Sequence, residues 1–321
     1  MIYAVWLPLL MPFLAVPVAR RGAEQLRPRT AAGALTALAL VLALSSTAAL
    51  GMLALAGALR LSFVARAAHL SAHLLGDGSP ATVPAAVLAA LALTALGVLV
   101  LDRTRRHLRE LRAAHRQFPS GTSAGDLCVR HDDRPEADAL PGRPGRIVVT
   151  TGMLRALSAD EREVLFAHER AHLTGRHHVF LAAAELAVAL HPALRGLRAP
   201  LSYALERWAD ESAAQATGDR ALTARAVGRA ALAARAAGSS ARPRLSLTAT
   251  AGPVPRRVTA LLSTPAPATR LLPRSLACLL LACVAVSATA ALDAATDLHT
   301  GIEVAQGEQG QQGQAAFGDG D

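Results

Sequence analysis

The chain has 321 residues, a formal net charge of +9, 52% hydrophobic residues and only 3% aromatic ones. A basic surface without aromatic platforms argues against direct nucleic-acid binding. The three cysteines offer neither a disulfide framework nor a Cys-x-x-Cys metal pair. The apolar excess, with a mean hydropathy of +0.31, and the placement of the arginines carry more information.

Four stretches have no charged residue: Met1–Ala19, Thr30–Leu59, Gly78–Leu101 and Ser275–Leu292. A helix crosses a bilayer core with about 20 apolar residues, so each stretch predicts a transmembrane helix. Pro8, Pro12 and Pro17 make the first the least regular, though membrane helices tolerate proline. A signal peptide carries its positive charge before the apolar core; here Arg20, Arg21, Arg27 and Arg29 follow it. Cytoplasmic loops are rich in Lys and Arg, so Arg20–Arg29 lies inside and Arg60–Pro80 outside. The arginine-dense run DRTRRHLRELRAAHR after the third helix lies inside again. The fourth helix then exports the acidic segment Asp293–Asp321, and the N-terminus is outside. The net charge thus reflects topology and contact with the lipid bilayer. Abundant Ala, Leu and Arg with hardly any Lys fits a GC-rich bacterial genome.

The loop between the third and fourth helices holds the soluble domain. Arg103–Gln117 predicts a juxtamembrane helix lying on lipid headgroups, and Asp126–Arg130 and Arg146–Thr151 predict short strands. Between them, HDDRPEADALPGRPG is full of turn residues. SADEREVLFAHERAHLTG then predicts a helix, with Ser158 and Glu161 as a capping box. Val179–Leu190 is apolar apart from Glu185 and ends at His191-Pro192. Leu201–Thr217 and Asp219–Ala237 predict two more helices. Gly238–Pro273 reads as a loose return to the membrane, and GEQGQQGQAAFGDGD as a low-complexity disordered tail.

The chemistry lies in AHERAHLTGRHHVF. His168 and His172 are four apart, so a helix puts both imidazoles on one face, where they can share a zinc ion. Glu169 is placed to take a proton from a zinc-bound water that then attacks a carbonyl. This is the logic of H-E-x-x-H metalloproteases. Catalytic zinc takes three protein ligands. The spacing to His178 fits the metzincin pattern, but that family needs a methionine turn downstream. The methionines here are Met1, Met11, Met52 and Met153, all upstream. His177 and His178 therefore read as polar residues just beyond the helix. The better third ligand is Glu206 in SYALERWADESAAQ, with Asp210 one turn on to orient a ligand histidine. Glu211 is off that face, and Glu185 is too near in sequence and sits in an apolar run.

The segment PEADALPGRPGRIVVTTGMLRALSADEREVLFAHERAHLTGRHH, followed by LERWADESAAQATGD, resembles the integral-membrane gluzincin metallopeptidases. These include the HtpX-type heat-shock proteases, the CaaX prenyl-protein proteases and the BlaR/MecR-type antirepressor peptidases. The resemblance implies His168, His172 and Glu206 as zinc ligands, Glu169 as general base and Asp210 behind a ligand. It also implies Arg146–Thr151 as the edge strand that receives substrate backbone. A domain between the third and fourth membrane helices is closest to the BlaR/MecR arrangement. The extracellular sensor domain of that group is replaced here by Asp293–Asp321. For a group that stabilises the transition state, Tyr203, His191 and Arg220 stand as equal candidates.

The expected fold is therefore mainly α, a membrane protein. About four transmembrane helices accompany a mostly helical zincin-type catalytic domain with a small β edge. Residues 1–101 hold three spans, 102–274 the cytoplasmic peptidase domain, 275–292 the fourth span and 293–321 the tail. The expected activity is a zinc metalloendopeptidase in a bacterial inner membrane, with one Zn2+ per chain. Its substrate is a cytoplasmic or membrane protein or peptide. The antirepressor resemblance suggests a transcriptional repressor; the HtpX resemblance suggests misfolded membrane protein. The alternative is a non-enzymatic membrane signal transducer with a structural zinc site.

Overall fold

The computed structural model describes residues 2–58, 82–117, 125–238 and 254–263, with a few further positions between 281 and 296. Helices α1 (Ile2–Ala23) and α2 (Pro28–Ala58) form a hairpin. Its tight turn is closed by Gln25 N–H to Gly22 O at 3.1 Å and Leu26 N–H to Ala23 O at 3.3 Å. The buried side of α2 is mostly small, with Ala31, Ala32, Ala39, Ala43 and Ala49, which lets helix backbones approach closely. Pro12 has no N–H to give to the carbonyl of Pro8, four residues back. Ser46 supplies the missing donor: its Oγ–H reaches Pro8 O at 2.7 Å and is shared with Leu42 O at 2.8 Å.

Among the described residues, two helices are long and apolar enough to cross a membrane, Pro28–Ala58 and Val83–Gln117. The second lies in α3 (Thr82–Gln117), whose 36 residues reach about 54 Å against a core of about 30 Å. The arginine-rich part after Leu101 is thus an unbroken helical continuation of the third apolar stretch, not a separate helix on the headgroups. Helix continuity explains the difference, since nothing between Leu101 and Gln117 is a breaker. The fourth stretch, Ser275–Leu292, and the tail Asp293–Asp321 fall almost wholly outside the described residues.

Three strands follow: β1 (Leu127–Arg130), β2 (Ala137–Leu140) and β3 (Arg146–Thr150), in the order β1-β3-β2. β1 runs parallel to β3, and β2 antiparallel to it. β3 is therefore the central strand, which overturns its expected place at the edge; the edge strands are β1 and β2. The four residues of β2 sit among Pro135, Pro141 and Gly142, and these turn residues masked it in the sequence.

Thr150 caps α4 (Thr151–Ala156), and α5 (Ala159–Thr174) starts with the expected capping box. Helices α6 (His177–Leu190), a 3-10 turn (Pro192–Leu197), α7 (Arg198–Thr217), α8 (Arg220–Ala236) and α9 (Val254–Leu262) complete the described chain. α7 stops at Gly218, whose φ of 71° is left-handed and suits glycine. α6 is too short to span; it packs Ala184, Ala187 and Val188 into a core shared with Ala15 and Val16 of α1, Leu35 and Leu42 of α2, and Leu201 and Leu205 of α7. The α1–α2 hairpin, α6, the 3-10 turn and α7 thus share one hydrophobic core.

In the capping box, Ser158 Oγ accepts from Glu161 N at 3.4 Å, and Glu161 Oε2 accepts from Ser158 N and from Arg229 Nη1, both at 2.9 Å. Burial pulls the Glu161 pKa up, but the Ser158 N–H and Arg229 outweigh it and hold it below 4.5. Its contribution is then complete above pH 4.5 and fades as the pH falls through the lower folded value. Ser158→Ala is expected to cost about 1 kcal/mol, read as a lower melting temperature in detergent. The cost of Glu161→Ala should shrink on acidification below pH 4.5; equal costs at pH 7 and pH 3 would contradict this.

Candidate metal centre

Helix α5 carries His168, Glu169 and His172, and α7 crosses it carrying Glu206 and Asp210. All five are buried. The Nε2 atoms of His168 and His172 lie 3.1 Å apart. Glu206 Oε2 is 3.7 Å from His168 Nε2, and Oε1 is 3.7 Å from His172 Nε2. Ligand atoms at about 2.0–2.1 Å from a tetrahedral zinc are separated by roughly 3.3 Å, so these donors suit one ion. Glu206 Oε1 is a buried oxygen without a hydrogen bond among the described residues, as a metal-facing carboxylate requires. Two imidazoles and one carboxylate are also the donors of catalytic zinc sites.

Each ligand is held from behind. Asp210 Oδ1 lies 3.2 Å from His168 Nδ1, an ion-pair contact off the ideal hydrogen-bond line. His172 turns Nδ1 to His177 Nδ1 at 2.7 Å. With the His172 Nε2 lone pair facing the cluster, Nδ1–H is the donor and His177 the acceptor. His177 is thus a buried orienting partner, not a polar residue beyond the helix. The reversal comes from the turn: Arg176 adopts a left-handed φ of 51° and folds His177 back onto α5. Gly175 makes room for it, since a Cβ there would lie 2.5 Å from His177 Nε2. His178 is only half-buried and stays out of the cluster.

The sequence also hid Arg257, on α9, inside what reads as a loose return to the membrane. Its Nε and Nη2 grip Asp210 Oδ2 and Oδ1 at 2.8 and 2.6 Å, and Nη1 reaches Glu206 Oε2 at 2.8 Å. A signal existed: Val254, Val258 and Leu261 have helical spacing, with Arg257 on their face.

The fields are strong. Burial would lower the His168 pKa, but Asp210 and Glu206 raise it to about 10; the same negative field favours a metal cation. Burial takes His172 down to about 3. Burial would raise Glu206 and Asp210, yet Arg257 leads the groups that hold both low, Glu206 at about 2. Glu169 is pushed up to about 7, chiefly by burial, and its Oε2 has no hydrogen-bond partner among the described residues.

His168, Glu169 and Glu206 open into a cavity of about 850 Å3. Asp138 of β2 and Glu136 just before it line one wall, and Ala230 of α8 and Val258 of α9 the other. Arg257 lines it too, whereas Tyr203, His191 and Arg220 do not. Tyr203 lies under the Arg256 guanidinium, His191 donates to Leu9 O at 3.1 Å, and Arg220 binds Glu211. Glu211 is thereby engaged away from the cluster, as is Glu185 by Arg103 and Arg198.

Arg257→Leu should be among the most destabilising single changes, because it leaves two buried carboxylates without their cation. Breaking a buried ion pair from one side costs about 3–5 kcal/mol. The check is the thermal midpoint in detergent, and a loss below about 1 kcal/mol would count against the network.

The model of peptidase family M48 matches residues 100–194. No curated protein and no solved structure matches the chain. The matched stretch covers the end of α3, the sheet, the H-E-x-x-H helix α5 and α6, and it ends before Glu206, Asp210 and Arg257. This stretch is similar to the peptidases of family M48, which supports the resemblance to membrane gluzincins such as the HtpX and CaaX proteases.

Proposed function

We propose that the protein is a zinc metalloendopeptidase of a bacterial inner membrane, with one zinc per chain. The carrying observation is the convergence of His168 Nε2, His172 Nε2 and the Glu206 carboxylate beside the buried Glu169, at the floor of an open cavity. His168, His172 and Glu206 would hold the ion, with Asp210 and His177 fixing the two imidazoles. Bound there, zinc supplies a Lewis acid that polarises the scissile carbonyl and acidifies a water. Glu169 accepts the proton of the attacking water and returns it to the leaving amine. Arg257 keeps Glu206 ionised and aimed. The edge strand β2 borders the cavity, so an extended substrate segment can add to it by backbone pairing, its side chains facing the apolar wall of α8 and α9.

Residues 1–101 and 275–292 make four spans in this reading, 102–274 the peptidase domain and 293–321 a tail. The hairpin turn with Arg20–Arg29 touches the peptidase domain, which supports putting both on the cytoplasmic side. Substrates are cytoplasmic or membrane proteins; a transcriptional repressor is one, on the antirepressor resemblance alone. The alternative of a structural zinc in a non-enzymatic transducer needs a fourth protein ligand. His177 sits behind His172, on the side away from Glu206, and Glu169 has no use in a closed site; both favour the catalytic reading.

Purified protein should carry about one zinc per chain. Glu169→Ala should keep the metal and lose about 10²–10⁴-fold in cleavage; equal cleavage by the variant would refute the mechanism. His168→Ala and Glu206→Ala should lose the metal itself.

A base works only when unprotonated, so cleavage should fall as the pH drops. Burial sets Glu169 near 7, and a cation beside it lowers that value, so the acid limb should lie at or below pH 7. Zinc content at each pH separates loss of metal from protonation of Glu169. A rate that rises from pH 7 to pH 5 at constant zinc would contradict the role.

A further inference from the structure

We propose that the α1–α2 turn is a built-in support of the metal-ligand cluster, so that docking of the membrane hairpin positions the ligands. This rests on the zinc-site reading above. Two contact chains lead from the turn to the cluster, one through Trp208 and one through Arg256.

The first begins at Arg29, whose Cζ lies 5.3 Å from the centroid of the Trp208 ring. Trp208 packs on His177 with centroids 4.6 Å apart, and His177 meets His172 Nδ1 at 2.7 Å. Three contacts therefore join the start of a membrane helix to a metal ligand. The second begins at Glu24, which accepts from Arg256 Nη2 at 3.0 Å. Arg256 covers the Tyr203 ring at 4.8 Å, and its chain neighbour Arg257 grips Asp210 and Glu206. Helix α7 thus turns Tyr203 and Trp208 toward the hairpin turn and Glu206 and Asp210 toward the cluster. Behind both chains lies the core shared by α1, α2, α6 and α7, so the hairpin cannot shift without moving α7.

The outer contacts are partly exposed, and each is individually modest. They act by limiting where Trp208 and α9 can sit, so their effect appears as loss of ligand geometry rather than loss of fold. Arg29, Trp208, Glu24 and Arg256 are positioning residues.

The test uses the full-length protein in detergent or lipid nanodiscs. Zinc affinity is read by chelator competition, ligand geometry by the visible spectrum of the cobalt(II)-substituted protein, and fold by the melting temperature. His177→Ala sets the scale, with affinity about 10–100-fold weaker. Arg29→Ala should weaken zinc binding about 3–10-fold, within that scale, and shift the cobalt bands. Arg29→Lys should restore both, because an ammonium also sits over an indole face. Glu24→Arg and Arg256→Glu should each lower kcat about 3-fold, as a modest exposed pair would, and the double variant should recover part of it, because the swap restores the ion pair but not the contact with Tyr203. Unchanged zinc affinity and cobalt spectrum in Arg29→Ala, or a double variant no better than either single one, would overturn the proposal. If the wild type holds no zinc or cleaves nothing, the peptidase reading itself fails. If it does both and the variants match it, only the hairpin support fails.

Discussion

Burying Glu206 and Asp210 one helical turn apart is the constraint around which the rest of the structure is arranged. Two carboxylates out of water, on one helix face, repel each other and lose their hydration. Something positive must meet them. Arg257 supplies two parallel contacts to Asp210 and a third to Glu206, and His168 lies between the two acids. α9 therefore has to pack against α7 and α8, which it does through Leu261, Ala214 and Ala224. α5 must present His168 at one fixed height, and the shared packing of Val164, Ala213 and Ala226 sets that height. The residual negative field is what a divalent cation needs, and burial raises the proton affinity of Glu169 beside it, against the pull of His168 and Arg257.

The α1–α2 hairpin is tied to this arrangement through ordinary packing. Ala15, Val16 and Ala19 of α1 and the alanine face of α2 meet α6, the 3-10 turn and α7 in one cluster. Gly196 marks how tight the fit is, since a Cβ there would lie 2.6 Å from Val16 Cγ1. The α1–α2 hairpin thus completes the core on which α7, and with it Glu206 and Asp210, rests.

Much of the site was legible in the sequence because it rests on local periodicity. His168, Glu169 and His172 follow from spacing on one helix, and so does the pairing of Glu206 with Asp210. The capping box at Ser158 was equally local. What stayed hidden depends on chain reversals and on who meets whom across elements. His177 is recruited by a left-handed Arg176, a conformation that no residue type at that position announces. β2 is a four-residue strand among prolines and glycine, and only its pairing with β3 defines it. That pairing also moves β3 from the edge to the centre. Arg257 looks like one arginine among many until α9 is folded against α7. The run after Leu101 changes character from apolar to basic without a helix breaker, so composition suggested a boundary where the backbone has none.

The central claim is that His168, His172 and Glu206 together hold one catalytic zinc. Zinc-edge X-ray absorption on the purified full-length protein tests it most directly. The account predicts one zinc per chain with two imidazoles and carboxylate or water oxygen at about 2.0–2.1 Å, and loss of the bound zinc in Glu206→Ala. A sulfur neighbour at about 2.3 Å, a third imidazole, or full zinc occupancy in Glu206→Ala would contradict it.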